Sequence, residues 1–205
     1  MDLKSKIILI SGPTASGKSK AALKIAKKLN GEIINADSMQ VYKELKILTA
    51  RPSKTDLNKI DHHLYGFRSV KKEFSSGEWL KLAKKNIKKI RDKNKIPVLV
   101  GGTGLYFKAL TDGLVKIPNI PISFRNKIKR MQNSLGQKKF YSKLLKNDSL
   151  VKNRIDPTDL QRSIRAYEVI SFTKKSIFEW YKKTKPSFKK EQFCLLYTSP
   201  SPRDR

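Results

Sequence analysis

The chain has 205 residues, with 46 lysines and arginines against 17 aspartates and glutamates, which gives a formal net charge of +29. This length favours one domain, or one domain that carries an insertion. The single cysteine, Cys194, excludes an internal disulfide framework and a cysteine-rich zinc site. No apolar run reaches the roughly 18 residues of a membrane span, and Ile7–Ile10 is too short for a signal-peptide core. These features predict a cytoplasmic protein without membrane association.

The positive charge favours a polyanionic partner such as nucleic acid. Ten of the basic residues are arginines and the other 36 are lysines. A lysine excess of this kind is also typical of a genome with biased composition. Charge alone therefore leaves nucleic-acid binding open.

Strand and helix patterns alternate over the first hundred residues. Short, continuously apolar runs, typical of buried parallel strands, occur at Lys6–Ser11, Glu32–Ala36 and Ile96–Val100. Apolar residues at helical spacing follow the first run and end at Gly31, and an amphipathic helix begins at residues 75–78 (SSGE). This order predicts an α/β fold with a parallel sheet covered by helices.

After Pro118 the strand patterns give way to helical ones. Helices are predicted over Ile122–Met131, Phe140–Leu145 and Leu160–Ile170. The stretch 116–190 holds 20 basic and five acidic residues. We therefore predict a basic helical module inserted into the sheet domain.

The predicted organisation has three parts. Residues 1–117 form the α/β core, residues 118–190 form the helical module, and residues 191–205 begin as a returning core strand. Residues 194–205 (CLLYTSPSPRDR) contain no lysine but hold two prolines and two of the ten arginines. This composition is typical of a disordered tail or of a non-native tail fused to an interrupted gene, and we favour the second interpretation.

A phosphate-binding pattern follows the first predicted strand. The match to G-x-x-x-x-G-K-[ST] consists of Gly12, Pro13, Thr14, Ala15, Ser16, Gly17, Lys18 and Ser19. Glycines allow the backbone to wrap an anion with its N–H groups, and the N-terminus of the following helix adds partial positive charge. Lys18 can reach phosphate oxygens, and Ser19 can ligate Mg²⁺. The strand before the pattern and the helix after it favour a di- or triphosphate site over a chance match.

Two more loops follow predicted strands and therefore share the carboxyl edge of the sheet, where ligands bind in open α/β folds. One loop contains Asp37 (NADSMQVY) and the other is the glycine-rich segment 101–104 (GGTG). Taken alone, Asp37 is as typical of a helix N-cap or of a ligand to Mg²⁺-bound water as of a residue that faces the phosphates of the loop. Taken alone, the second loop is a glycine-rich turn capped by Thr103.

Two further patterns have both structural and functional interpretations. His62 and His63 are adjacent, so on a strand they point to opposite faces, which favours structural roles over joint metal binding. Gln161, Arg162 and Arg165 share one helix face, which suits phosphates or base edges. A solvated helix face has the same pattern.

Together the motifs resemble the tRNA dimethylallyltransferase (tRNA isopentenyltransferase, or IPP transferase) family. The resemblance spans about residues 6–183 and rests on five segments in order, GPTASGKS, DSMQVY, HHL, PVLVGGTGLYFKAL and RIDPTDLQRSIRAYEV. It implies a P-loop NTPase-like fold. It also implies transfer of a dimethylallyl group from dimethylallyl diphosphate to N6 of the adenosine 3′-adjacent to the tRNA anticodon, with Mg²⁺ as the ion. One departure is Tyr167, where the family commonly has leucine.

The resemblance also implies roles for individual residues. The loop Thr14–Ser19 holds the diphosphate of the donor, Asp37 is the general base, and Thr103 lies beside the acceptor amine. Contacts to the tRNA anticodon stem-loop are implied for Asp37, Ser38, Met39, Gln40, Thr103, Arg125, Gln161, Arg162, Ser163, Ile164 and Arg165. We expect the protein to act as a monomer.

Two alternatives stay open. A small-molecule or nucleotide kinase has the same phosphate loop, but it usually adds an arginine-rich lid and an acidic magnesium motif after a later strand. Here residues 101–104 follow that strand and contain no acid. The other alternative is an inactive RNA-binding fragment, because chains of this family continue well beyond Gln192.

Overall fold

The computed structural model describes residues 5–199, whose centre is a five-stranded, wholly parallel sheet with the order β3-β2-β4-β1-β5. The strands are β1 (Ile7–Ser11), β2 (Gly31–Asn35), β3 (His62–His63), β4 (Ile96–Gly101) and β5 (Phe193–Tyr197). The predicted α/β class with a parallel sheet is confirmed. β1, β2 and β4 coincide with the three apolar runs to within one residue at each end.

Seven helices accompany these strands in the described part of the chain. They are α1 (Lys18–Lys28), α2 (Lys54–Leu57), α3 (Ser76–Asp92), α4 (Gly104–Thr111), α5 (Ile122–Asn147), α6 (Leu160–Thr173) and α7 (Ile177–Tyr181). Short 3₁₀ turns occur at Ser149–Val151 and Lys190–Gln192. Among residues 5–199, no helix has the length and apolar character that crossing a membrane requires.

The chain divides into two compact units. The first extends to Gly113 and resumes at Pro186, and the second is Leu114–Lys185. Both boundaries lie a few residues before the predicted ones at 117/118 and 190/191. Packing explains the difference, because Ile117 joins the core of the second unit and Phe188 packs against the core of the first.

The first unit buries both faces of its sheet. On one face, Leu9 and Ile34 pack with Trp79 of α3. On the other face, Ile33 and Val98 pack with α1. Because side chains alternate across the sheet, burial of both faces requires apolar residues at consecutive positions, which is the pattern seen in β1 and β4.

The second unit is helical, with a core formed mainly between α5 and α6. Phe140 of α5 and Tyr167 of α6 lie with their ring centroids 5.1 Å apart, and both are buried. The two helices predicted within residues 122–145 form one element, α5, which is interrupted by non-helical backbone at Gly136. α6 begins where predicted, and the side chain of Asp159 caps it by accepting a hydrogen bond from the Arg162 N–H.

The predicted returning strand is β5, which pairs with β1 along its whole length. The ladder continues one residue further, since the Thr198 N–H donates to the Ser11 carbonyl at 2.9 Å. Residues 194–197 of the expected tail thus belong to the sheet. Residues 200–205 of that tail lie outside the described residues.

Candidate active site

Three loops meet at the carboxyl edge of the sheet in the first unit. β4 lies between β1 and β2, and Val100 is level with both Ile10 and Asn35. The loops that leave these strands therefore begin side by side. They are the phosphate loop (residues 12–19), the Asp37 loop (residues 36–42) and the glycine turn (residues 101–104).

The phosphate loop has the backbone conformation of a tight anion-binding turn. Ala15 and Gly17 have positive φ values of 65° and 75°, and Gly17 lies directly before α1. The Lys18 Nζ donates to the Pro13 carbonyl at 2.8 Å, so its ammonium group folds back over the loop. The Ser19 side chain is exposed. A helix N-terminus, an ammonium group and a hydroxyl are thus available to a phosphate group at one place.

Gly12 begins this loop in a confined space. A Cβ there would overlap the Thr198 hydroxyl and would lie 2.8 Å from the Ser16 Oγ. The Ser16 and Thr198 hydroxyl oxygens are themselves 2.8 Å apart. Close approach of the chain after β5 therefore requires glycine at this position.

Asp37 begins the bend that follows β2. Its Oδ1 accepts the Met39 N–H at 2.9 Å, so the carboxylate closes a local turn. The N-cap interpretation of Asp37 is wrong, because the next helix in the described chain, α2, begins at Lys54. The half-buried Asp37 carboxylate lies beside the glycine turn, since a Cβ on Gly102 would be 4.0 Å from the Asp37 Oδ2.

Two phenols, the buried Tyr106 and the half-buried Tyr65, lie in the electrostatic field of this carboxylate. Burial, with a smaller contribution from the negative charge of Asp37, raises the pKa of Tyr65. Burial also raises the pKa of Tyr106 to about 12, with added effects of Tyr42 and then Asp37. A phenol of ordinary pKa is already protonated at neutral pH, and these shifts act in the same direction, so neither phenol competes with Asp37 as a proton acceptor.

Thr103 joins the glycine turn to the Asp37 loop. Its Oγ1 accepts the Ser38 N–H at 2.9 Å and lies 3.3 Å from the Ser38 Oγ, while its own N–H donates to the Ala36 carbonyl at 3.3 Å. Thr103 does precede α4, but its side chain makes no capping hydrogen bond. Its hydroxyl is engaged by the Ser38 N–H of the Asp37 loop. The structure thus places Thr103 and the Asp37 loop in direct contact.

Gly101 allows the two loops to approach this closely. A Cβ on Gly101 would overlap the carbonyl group of Ala36 and would lie 2.7 Å from the Asp37 nitrogen. Backbone atoms of neighbouring strands cannot move aside as a side chain can. Gly101, the last residue of β4, is therefore a packing requirement of the site.

Two other residues of the Asp37 loop differ in how far they are engaged by the protein. The Gln40 Nε2 donates to the Thr49 carbonyl at 2.7 Å, and the Gln40 carbonyl accepts the Gly66 N–H at 2.9 Å. Met39 exposes half of its side chain. The RNA contacts assigned to Ser38, Met39 and Gln40 by resemblance stay predictions.

Sequence reasoning gave no role to Asn35, the last residue of β2. Its side chain is fully buried and is hydrogen-bonded to both the N–H group and the carbonyl group of Asp37. An amide at the end of an otherwise apolar strand was the available signal, since a buried amide must be hydrogen-bonded by its surroundings.

In the second unit, α6 carries the predicted arginine face. Arg162 is largely exposed and its Nη1 lies 3.1 Å from the Asp159 Oδ2. Arg165 is partly exposed and its Nη1 lies 3.0 Å from the Glu168 Oε2. Gln161 is also exposed, while Arg125 of α5 is half-buried. The exposed Arg162 guanidinium group can exchange its ion pair for phosphate, whereas the Glu168 carboxylate that pairs with Arg165 is itself buried.

Ser163 and Ile164 lie on the inner side of the same helix. Ser163 is buried, and its hydroxyl accepts a hydrogen bond from the Gln137 amide at 3.2 Å. Ile164 packs against the core of the second unit. Both side chains hold α6 in place, and their assignment as RNA contacts stays a prediction.

The two histidines have structural partners. The His62 Nδ1 lies 2.7 Å from the Ile60 carbonyl, and the His63 Nε2 lies 2.7 Å from the Glu32 carboxylate. Within residues 5–199, no group of three or more histidine, cysteine and acidic side chains could hold a metal ion. The structural interpretation of His62 and His63 is therefore favoured.

The family model described as IPP transferase matches residues 40–205. The chain belongs to the IPP transferase family. It is 61% identical over 197 residues to the tRNA dimethylallyltransferase of Pelagibacter ubique (strain HTCC1062), covering 96% of this chain and 63% of that protein. It is 44% identical over 198 residues to the tRNA dimethylallyltransferase of Rickettsia massiliae (strain Mtu5), covering 95% of this chain and 54% of that protein. The chain thus spans little more than half to about three-fifths of the length of these curated relatives.

Solved structures of IPP transferases have the same architecture. A eukaryotic dimethylallyltransferase acting on tRNA is similar with a TM-score of 0.82 and 30% identity, covering 96% of this chain and 49% of that one. The tRNA isopentenylpyrophosphate transferase of Bacillus halodurans gives a TM-score of 0.54 and 37% identity, over 82% of this chain and 56% of that one. These similarities confirm the predicted P-loop NTPase-like α/β fold class.

Proposed function

We propose that the protein transfers a dimethylallyl group from dimethylallyl diphosphate to N6 of the adenosine 3′-adjacent to the anticodon of a tRNA, and releases diphosphate. The observation that carries this proposal is the convergence of a phosphate loop, the Asp37 carboxylate and Thr103 at one sheet edge. The chain's relatives are tRNA dimethylallyltransferases, which supports RNA as the acceptor.

The phosphate loop stabilises the leaving group. Transfer breaks the allylic C–O bond, and negative charge develops on the departing diphosphate. Loop N–H groups at the start of α1 and the ammonium group of Lys18 are placed to stabilise that charge. Since these groups are fixed before reaction, they need little reorganisation as the charge grows.

Mg²⁺ fits this donor set. The exposed Ser19 hydroxyl is a hard oxygen donor, and Mg²⁺ in phosphate sites typically uses one or two protein oxygens together with the substrate phosphates. Ser19 would hold the ion, which when bound neutralises charge on the diphosphate.

Asp37 removes the proton from the acceptor. The adenosine N6 lone pair is delocalised into the ring, so the amine is a poor nucleophile and benefits from a positioned base. As the N6–C bond forms, one N6 proton passes to the Asp37 carboxylate. Thr103 fixes the Ser38 backbone and presents its hydroxyl group beside the same loop.

The arginine face of α6 serves the RNA. An adenosine must leave its stack to reach a site of this kind, and the rest of the loop must be held while it does so. Arg162, Arg165 and Arg125 are suited to phosphate groups of the anticodon stem-loop. We expect this reaction in the cytoplasm, with the protein acting as a monomer.

A radiolabel experiment with the full chain tests the function. Label should move from dimethylallyl diphosphate to an anticodon stem-loop with adenosine at the target position. A stem-loop with guanosine at that position is the matched control and should stay unlabelled. Label that moves only from the γ-phosphate of ATP would contradict the proposal and favour the kinase alternative. Binding of the stem-loop without product would favour the RNA-binding fragment.

Replacement of the base separates chemistry from binding. Asp37→Ala should lower kcat by at least about 10²-fold, because the proton loses its acceptor. Affinity for the stem-loop, measured by fluorescence anisotropy, should change little, since most of the phosphate contacts lie elsewhere. Near-normal turnover of Asp37→Ala would remove Asp37 as the base.

A further inference from the structure

The side chain of Asn35 forms the floor of the Asp37 loop. Its Oδ1 accepts the Asp37 N–H at 2.9 Å, and its Nδ2 donates to the Asp37 carbonyl at 2.9 Å. One amide group therefore bonds both polar backbone groups of a single residue. We propose that Asn35 is a positioning residue that fixes the Asp37 backbone and, through it, the direction of the Asp37 carboxylate. This inference rests on the proposed function of Asp37 as the base.

Asn35 also links this loop to a second segment. Its Nδ2 donates to the Leu64 carbonyl at 3.0 Å. Leu64 has φ 64°, a conformation that is unfavourable for a residue with a bulky side chain. The hydrogen bond helps to hold this conformation just after β3. Asn35 thus fixes the spacing between the end of β2 and the chain after β3.

A separate hydrogen bond holds the backbone of Asn35. The Trp79 indole N–H donates to the Asn35 carbonyl at 2.8 Å. Trp79 is itself stacked on Tyr106, with ring centroids 4.3 Å apart and an angle of 9° between the planes. Both rings are buried. Asn35 is therefore anchored in rigid core, which is the condition for a residue to position another one accurately.

The chemistry of asparagine suits these three bonds. Its amide supplies one acceptor and two donors, and all of them are used by Asp37 and Leu64. A serine hydroxyl supplies a single donor on a shorter stem. An ionised aspartate supplies no donor at all. Either replacement leaves at least one of the two half-buried carbonyl groups without this partner, which favours movement of the loop.

Glu32 provides a matched control on the same strand. It is buried like Asn35 and likewise joins β2 to β3, through a 2.7 Å bond to His63. Its other partners are Lys93 and Lys95, which precede β4. Glu32 therefore lies at the amino end of the strand, away from the Asp37 loop. Loss of either residue weakens the fold, but only loss of Asn35 disturbs Asp37.

The experiment compares Asn35→Ser and Glu32→Gln with the wild-type full chain in prenyl transfer to the anticodon stem-loop. We expect kcat of Asn35→Ser to fall on the order of 10²-fold, with KM for the RNA unchanged within about two-fold, because the base is misplaced while binding is kept. Glu32→Gln should keep kcat although it melts at a lower temperature. Amide hydrogen exchange should accelerate at Asp37 and Met39 in Asn35→Ser only.

Two results would overturn the inference. One is wild-type kcat in Asn35→Ser, and the other is an equal loss of kcat in Glu32→Gln, which would reveal a general effect of stability. If no variant and not even the wild type transfers a prenyl group, the proposed function fails. Amide exchange at Asp37 then decides the positioning role alone, and unchanged protection in Asn35→Ser would reject it.

Discussion

Glu32 is an acidic side chain buried within the sheet, and it links the stability of the first unit to pH. Only 1% of its side chain is exposed. Burial alone would raise the pKa of the Glu32 carboxyl, but hydrogen bonds from Lys95, His63 and Lys93 outweigh that effect and lower the pKa to about 2. Asp61 completes the cluster, with its Oδ2 3.8 Å from both lysine nitrogens.

Ionised Glu32 should stabilise the fold above its usual pKa of 4.5 and lose that contribution as pH falls towards about 2, since its pKa is lowered in the folded state. At pH 7, Glu32→Gln should reduce the free energy of unfolding by about 2 kcal/mol, because three donors lose a charged acceptor. Urea denaturation at several pH values measures this difference. The difference should shrink in acid, and a constant difference between wild type and variant would contradict the assignment.

The break in α5 is set by one residue of that helix. Gly136 has φ 71° and ψ 164°, a combination that is essentially restricted to glycine. Ile128 and Phe140 lie on either side of the break and pack in the same core. In a straight helix these two positions would lie roughly 120° apart around the axis. The break therefore allows both segments of α5 to face one core.

Replacement of Gly136 tests this explanation. Gly136→Ala should lower the free energy of unfolding by about 1–3 kcal/mol, because alanine is strained in this conformation. Gly77→Ala in α3 is the matched control, since its Cβ would meet only the Ser75 Oγ at 3.8 Å. The control should be neutral or more stable by up to about 1 kcal/mol. Urea denaturation followed by circular dichroism compares the variants, and a stabilised Gly136→Ala would refute the role of the break.

Sequence periodicity identified the elements that have a distinctive pattern. β1 and β4 were predictable because both of their faces are buried, and α3 because it begins with a Ser75–Glu78 capping box and has one apolar face. α4 was missed because four of its eight residues are buried hydrophobic ones without a clear polar face. β3 consists of two histidines, and its place in the sheet depends on contacts that are distant in sequence.

The candidate site was likewise predictable from the sequence only in part. The phosphate loop was predictable because its glycines and Lys18 are close in sequence and their spacing has a direct physical meaning. The carboxyl-edge rule by itself brings Asp37 near the phosphate loop, since both follow parallel strands. The hydrogen bond from the Ser38 N–H to Thr103 was not predictable, because it depends on the register of β2 against β4. For Asn35 the sequence shows only an amide at the end of an apolar strand, and its bond to Leu64 depends on a contact that is distant in sequence.

Over the whole molecule, the net charge of +29 does not by itself locate an RNA surface. Exposed lysines occur on α1 and α3 of the first unit as well as throughout the second unit. Arg162 and Arg165 differ from these lysines because each is held by an acid three residues away along the chain. Arg162 is largely exposed, and exposed ion pairs contribute only about 0–1 kcal/mol, so a phosphate group can replace Asp159 at little cost. Glu168 is buried, so its ion pair holds Arg165 in position.

The salt dependence of binding distinguishes this arginine face from the general charge. The double variant Arg162→Gln, Arg165→Gln should bind the anticodon stem-loop more weakly, and the slope of log K against log salt should decrease by about 0.7 to 0.9 for each phosphate group that the protein no longer neutralises. The double variant Lys88→Gln, Lys89→Gln removes the same charge from an exposed part of α3 and should leave the slope nearly unchanged. Anisotropy titrations between about 50 and 200 mM salt measure both slopes. If the slope decreased equally in the two double variants, RNA binding would depend on the total charge. Only phosphate groups that bind locally on α6 would make the two slopes differ.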